Sequence, residues 1–174
     1  MRRLRYNVAI SLDGYIADLD GGYDWIIMDP AIDFTAHFKQ FDTAVMGRGT
    51  FDVLLRQGSD GALPGMQVVV FSRTLRASEH PAVTVVDSDP VEAVIALKEK
   101  PGRDIWLFGG GKLFRTLLDA GLVDTVEVGV MPVLLGQGIP ALAPGRPSPR
   151  LQLTDTKTFP SGIIMLSYTV DRTV

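Results

Sequence analysis

Three short segments of this chain carry residue types whose spacing suits the binding of an extended anion. The first is Gly109-Gly110-Gly111-Lys112, between the apolar run Ile105-Trp106-Leu107-Phe108 and Leu113-Phe114. Glycine has no Cβ, so backbone there can lie directly against a ligand. A helix opening at such a turn aims its free N–H groups and positive dipole end at that ligand. The second segment, Gly47-Arg48-Gly49-Thr50, comes after another apolar run, Ala44-Val45-Met46. The third is Ser72-Arg73, where a hydroxyl and a planar guanidinium fork could grip a phosphate. Two familiar phosphate loops do not fit the first segment. A P-loop would need glycine at Trp106 and a hydroxyl residue at Leu113, and the dinucleotide fingerprint would need glycine at Phe114. The competing reading of the three glycines is close packing of helix on sheet.

Composition narrows the chemistry. With 174 residues, 46% of them hydrophobic, the chain is expected to form one domain over residues 1–174 with a sizeable core. No apolar stretch approaches the length that spans a bilayer. The start, Met1-Arg2-Arg3-Leu4-Arg5, resembles a signal n-region, but Asn7 and Asp13 break the apolar stretch after it, and the expectation is a cytoplasmic protein. A net charge of -3 with scattered basic residues gives no nucleic-acid surface. The absence of cysteine excludes disulfides, thiolate chemistry and the usual zinc sites. The two histidines, His37 and His80, fall in different predicted elements, so no metal centre is expected. Any redox chemistry would then rest on an organic cofactor.

The elements that must position these segments alternate. Leu4 to about Ile10 reads as a strand with a turn at Asp13-Gly14. Asp29-Pro30 reads as a helix start, with Phe34, Phe38 and Phe41 on one face. Thr43 to Met46 is a strand leading into a short helix with Val53, Leu54 and Leu55, ended by Gly58. Gln67 to Phe71 and Val83 to Val86 read as strands, and Asp89-Pro90-Val91-Glu92 as a capped helix start. Ile105 to Phe108 is a strand, Lys112 to Ala120 a helix, and Thr125 to Met131 a strand. Leu151 to Thr158 and Ile163 to Val170 form an antiparallel hairpin about Pro160-Ser161-Gly162, after a proline-rich surface loop from Pro140 to Pro149. The class is α/β: a mixed, mostly parallel sheet with helices on both faces and a C-terminal antiparallel hairpin, a three-layer arrangement. Ligands gather at the carboxyl ends of such strands, where both glycine segments lie.

In order and spacing, several segments together resemble the dihydrofolate reductase fold family. The likeness is nearest to the reductase domain of the riboflavin-biosynthesis deaminase-reductases and their stand-alone relatives. The segments are Ala9-Ile10-Ser11-Leu12-Asp13-Gly14-Tyr15-Ile16-Ala17, Val45 to Phe51, Val70-Phe71-Ser72-Arg73, the triple glycine and Met131 to Gly138. The resemblance implies NADPH along one sheet edge. Gly47, Arg48, Thr50, Gly109, Gly110, Gly111, Lys112 and Leu113 would meet its phosphates, Ser72 and Arg73 its 2'-phosphate, and Ala9 and Ile16 its nicotinamide carboxamide. In that family the peptide joining the first two glycines, here Gly109 and Gly110, is cis. The resemblance also implies a homodimer, for which the apolar strand Ile163 to Leu166 offers an edge.

For the substrate, the family's carboxylate spacing after Trp25 lands on Pro30, flanked by Asp29 and Asp33. Asp29 reads as an N-cap, leaving Asp33 as the candidate catalytic acid, with Asp13, Trp25 and Phe34 as candidate substrate contacts. Phe114 lacks the hydroxyl found near the glycine turn in true dihydrofolate reductases, whereas Pro132 to Gly138 points to the riboflavin-pathway reductases. The expectation is an NADPH-dependent reductase of a small pteridine- or pyrimidine-like heterocycle. The alternatives are the 5-amino-6-(5-phosphoribosylamino)uracil reductase of riboflavin synthesis and a non-catalytic NADPH-binding module.

Overall fold

The computed structural model describes residues 1–147 and 149–171. Its centre is the alternating strand β1, Leu4–Ser11. Leu4, Tyr6 and Val8 of β1 pack into one core, while Arg5 and Asn7 hydrogen-bond on the opposite side of the sheet, so the two-residue period sorts the strand onto two faces. Around it form β2 (Tyr15–Ala17), α1 (Phe34–Phe38), β3 (Phe41–Gly47), α2 (Arg48–Arg56), β4 (Gln67–Phe71), β5 (Thr84–Val86) and α3 (Pro90–Glu99). After them come β6 (Asp104–Gly109), α4 (Gly111–Asp119), β7 (Thr125–Met131), β8 (Ile139–Pro140), β9 (Leu151–Thr158) and β10 (Ile164–Val170).

Eight strands make one sheet in the order β5-β4-β3-β6-β1-β7-β10-β9. Pairing is parallel from β5 to β7 and antiparallel at β10 and β9, as the alternating pattern and terminal hairpin predict. Helices α3 and α4 bury Val94, Leu97, Leu113, Phe114, Leu117 and Leu118 on one face, where Phe114 stacks on Tyr6 with centroids 3.7 Å apart. Helices α1 and α2 cover the other face, Phe38 against Phe41 and Trp106, Leu54 and Leu55 against Val68 and Val70. The sheet is thus sandwiched, with the loop and helix N-termini gathered at the carboxyl ends of the parallel strands.

Three local expectations are corrected. The helix does not open at Asp29: its carboxylate instead accepts the N–H of Ala31 (2.8 Å) and of Ser161 (3.2 Å), tying this loop to the β9–β10 turn. Asp33 is the N-cap of α1, accepting from Ala36 N at 2.9 Å, and Phe41 opens β3 rather than extending the helical face. The strand β10 is not an edge, because β7 and β9 flank it; the edge at that end of the sheet is β9. The small pair β2–β8 has no pattern of its own in the sequence, since strands of three and two residues are too short to show a period.

Candidate functional site

The two glycine junctions come together at one point of the sheet. β3 and β6 are adjacent and parallel. β3 feeds α2 onto one face, and β6 feeds α4 onto the other, so the chain reverses its winding between them and opens a crevice. Neither helix start has a side-chain cap: the N-caps are Gly47 and Gly110. The first N–H groups of both helices are therefore left for whatever enters the crevice. The Thr50 hydroxyl oxygen lies 3.3 Å from the Cβ position on Gly109 and 3.4 Å from that on Gly110, and Ile16 approaches Gly110 to 3.9 Å. The Gly109–Gly110 peptide is cis. Gly47, Thr50, Gly109, Gly110 and Ile16 thus converge.

The third glycine has a different task. A Cβ on Gly111 would fall on the carbonyl oxygen of Pro140 and lie 3.2 Å from Ala143 N, so it is packed against the loop after β8. Leu113 belongs to the buried core, leaving only its backbone to face the crevice, while Lys112 is exposed at the helix start.

Beyond the crevice, at the ends of β4 and β5, a cavity of about 370 Å³ is lined by Ser72, Arg73, Asp87, Ser88 and Asp89 among others. Ser72 is half-buried and accepts from Leu75 N at 3.1 Å; Arg73 is exposed and no partner holds it among the described residues. Arg48 is engaged elsewhere, with Nε on Asp52 (2.6 Å) and Nη1 on Thr74 (3.3 Å). Sequence reasoning did not reach Asp87 and Ser88; their place at the end of a parallel strand was the available signal.

On the α1 side, β1 and β7 run in register, Asn7 beside Glu127 and Ala9 beside Gly129. Gly129 is buried, and a Cβ there would meet the Met131 methyl at 3.4 Å. An aromatic row, Phe34, Phe38, Trp106 and Phe108, runs along one flank, with centroids 6.2, 5.0 and 4.4 Å apart in turn. Trp25, like Ala9 and Met165, packs against the buried cluster of Met131, Phe159 and Ile163, and its indole N–H is buried without a partner among the described residues. Of the two aromatic substrate candidates, Trp25 thus shares a cluster with Ala9, and Phe34 stacks on Phe38.

The remaining acids are held in place. Asp33 is exposed, capping α1. Asp13 accepts from the Ser11 hydroxyl (2.6 Å) and from Leu135 and Gly136 N–H (3.1 and 2.7 Å), fastening the loop after β7 to the β1–β2 turn. The Ser11 hydroxyl foremost, with these N–H groups, holds the Asp13 carboxyl below the usual aspartate range. Glu127 was missed from sequence, although a charged residue inside the apolar strand Val126-Glu127-Val128 was the signal. It takes a bidentate fork from Arg5, both distances 2.7 Å. Burial opposes its charge, but the hydrogen bonds and charge of Arg5, with help from Thr125 and Asn7, keep it below the usual glutamate range. Among the described residues no cluster of acids and histidines could hold a metal ion, and no helix is long and apolar enough to cross a membrane.

The comparisons with known proteins bear on this geometry. Residues 2–165 match the RibD C-terminal domain family. The chain is 35% identical to the uncharacterised YyaP protein of Bacillus subtilis, over 96% of this chain and 94% of that one. It is 30% identical to the riboflavin biosynthesis protein RibD of Corynebacterium ammoniagenes over 78% of this chain, spanning 44% of RibD. Among solved structures, a Shewanella sp. PV-4 protein provisionally assigned to riboflavin biosynthesis aligns with a TM-score of 0.83 and 28% identity, covering 99% and 100% of the two chains. Dihydrofolate reductase from Enterococcus faecalis, solved with NADP(H), shares the fold at 18% identity and a TM-score of 0.71, over 97% and 96% of the chains. The sheet order, the uncapped helix pair and these matches agree: the chain has the dihydrofolate reductase fold and belongs to the RibD C-terminal domain family of reductases.

Proposed function

We propose that this protein is an NADPH-dependent reductase of a small pteridine- or pyrimidine-like heterocycle. The observation that carries the reading is the meeting of two uncapped helix starts across the crevice between β3 and β6. Gly47, Thr50 and the opening N–H groups of α2 would hold the pyrophosphate together with Gly110, Gly111, Lys112 and Leu113 at the start of α4. Ser72 and Arg73 would take the 2'-phosphate, and Ala9 and Ile16 the carboxamide. When bound, the nicotinamide supplies the hydride. The chain's residues would orient the heterocycle between the aromatic row and Trp25 and limit water there. Asp13, Asp29, Asp33 and Glu127 are each engaged by hydrogen bonds from the protein, so water at the mouth of the cleft is the proton source in this reading. Following NADPH absorbance with a panel of oxidised pyrimidines and pteridines tests it. Cofactor binding without turnover on any of them would favour the binding-module alternative.

Cofactor choice depends on the cavity beyond the crevice. Arg73 is free to meet a 2'-phosphate, whereas Asp87 lines the same cavity and opposes it. The expected preference for NADPH over NADH is therefore modest, about tenfold, the scale of one charge-assisted contact. Fluorescence titration of both dinucleotides should show this preference, and Arg73→Ala should remove it. Equal affinities in the unaltered protein would count against Arg73, and Arg48, already on Asp52, would not rescue the assignment.

The homodimer is supported by β9 rather than β10. All eight residues of β9 are exposed, Leu151 and Leu153 by 42% and 53%, leaving a long unpaired edge beside apolar surface. Sedimentation at micromolar concentration is expected to give twice the monomer mass. A monomer alone would show that Asp155 and Lys157 suffice to keep this edge unpaired.

A further inference from the structure

Tyr6, in the middle of β1, is 1% exposed, and its ring and its hydroxyl hold two different parts of the molecule. The ring stacks on Phe114, in the first turn of α4. The hydroxyl donates to the carbonyl oxygen of Ala141, in the loop after β8, at 2.7 Å. Burial pushes the phenol above its ordinary value, so the oxygen keeps its proton and remains a donor at neutral pH. Leu4 and Val8, on the same face of β1, fill this core without a polar atom. A hydroxyl buried among them costs stability unless it is bonded, so its use lies in the bond to Ala141.

That loop is fastened to both sides of the crevice. Ala141 N–H donates to Gly14 O at 3.0 Å, in the turn leading into β2, and Ala143 N–H donates to Gly111 O at 3.2 Å, at the start of α4. Between them Leu142 packs against the main core. The Pro140 carbonyl lies against Gly111, where a side chain would otherwise stand, and Pro140 pairs with Tyr15, next to the Ile16 that approaches Gly110. The loop therefore bridges β2 and α4, the elements that bring Ile16 and Gly110 together. We propose that Tyr6 is a positioning residue: its hydroxyl, acting through the Ala141 carbonyl, fixes this loop against Gly111 and so holds the start of α4 in place at the crevice. A helix start held in one position presents its free N–H groups ready for a ligand. One that wanders is competent for only part of the time, and binds more weakly by that fraction. The inference rests on the reductase reading only for the identity of what enters the crevice.

Tyr6→Phe keeps the ring stack and removes only the donor. It should weaken NADPH binding about threefold to tenfold, the scale of one hydrogen bond. In the unliganded protein the amides of Ala141, Ala143 and Phe114, the last bonded to Gly110 O, should exchange with solvent faster by a similar factor. The control for mere loss of stability is Val123→Ala, in the same core but before the amino end of β7. It should melt at least as early as Tyr6→Phe, yet bind NADPH within about twofold of the unaltered protein and leave those three amides unchanged. Linkage requires the reverse effect as well: NADPH added to the unaltered protein should slow exchange at Ala141 and Ala143, a measurement that needs no variant. A Tyr6→Phe protein with full NADPH affinity overturns the inference, as does an equal loss in Val123→Ala or an NADPH-loaded protein whose loop amides are unprotected. If the unaltered protein binds no dinucleotide, the reductase reading falls by itself. Exchange in the unliganded proteins then decides: acceleration at Ala141, Ala143 and Phe114 in Tyr6→Phe supports the positioning role, and unchanged rates overturn it.

Discussion

Gly110→Ala is expected to leave a folded protein that has lost most of its affinity for NADPH, whereas Gly111→Ala is expected to lose stability first. At Gly110 φ is -101°, which any residue adopts, and the added methyl would meet Thr50 at 3.4 Å and Ile16 at 3.9 Å, ordinary contacts. The methyl would, however, occupy the space between the starts of α2 and α4, where the proposed cofactor's phosphate would approach the N–H groups. A loss of about tenfold to a hundredfold in affinity, equivalent to about 1.4–2.8 kcal/mol, is the expected scale. At Gly111 the methyl falls on the Pro140 carbonyl, a backbone atom that β8 pairing with β2 holds in place. Overpacking of this kind costs about 1–3 kcal/mol or more. Melting temperature and NADPH titration of both variants, side by side, give the check. A Gly110→Ala protein that melts early yet binds NADPH normally would make the whole triple glycine a packing device.

The second large effect lies at the buried Arg5–Glu127 pair. Glu127→Ala should destabilise the fold by about 3–5 kcal/mol, because it leaves the buried Arg5 guanidinium with only Gln40 and a share of Asp104, which also pairs with Arg3. Replacing both partners by apolar residues, Arg5→Met with Glu127→Leu, should recover much of that loss, since no buried charge then remains. Urea unfolding of the three proteins measures the difference; a Glu127→Ala change within about 0.5 kcal/mol would mean the pair is far more hydrated than its burial implies. The same pair sets the acid limit. Glu127 titrates below its ordinary value of 4.5 in the fold, so in acid the unfolded chain binds more protons than the folded one. Its contribution is complete above about pH 4.5 and is lost as pH falls through the lower folded value. His37, held down by burial from its ordinary 6.5, adds in the same direction from about pH 6.5 downward. The melting temperature should therefore drop steeply below about pH 4.5, and less steeply in the apolar double variant.

Much of this protein is determined by its sequence alone. Strand periods, glycine and proline punctuation, and the order of the segments around Gly14, Gly47, Ser72, Gly109 and Pro132 were enough for the α/β class, the terminal hairpin and the two strand–glycine–helix junctions. These signals are local: a period of two, or a residue without Cβ, acts within a few positions of itself. What tertiary structure decided depends on partners far along the chain. Asp29 leaves the helix start because Ser161, at the turn of a distant hairpin, offers an N–H, and so Asp33 becomes the cap. Gly110 and Gly111, alike as neighbours in sequence, differ because one faces Thr50 across the crevice and the other the Pro140 carbonyl. β10 lies inside the sheet because β9 returns alongside it. Glu127 and Asn7 come into contact only when β7 pairs with β1 across 120 residues. A charge inside an apolar strand shows in the sequence; whether it meets a guanidinium, a ligand or water is fixed by strand register, which tertiary pairing sets.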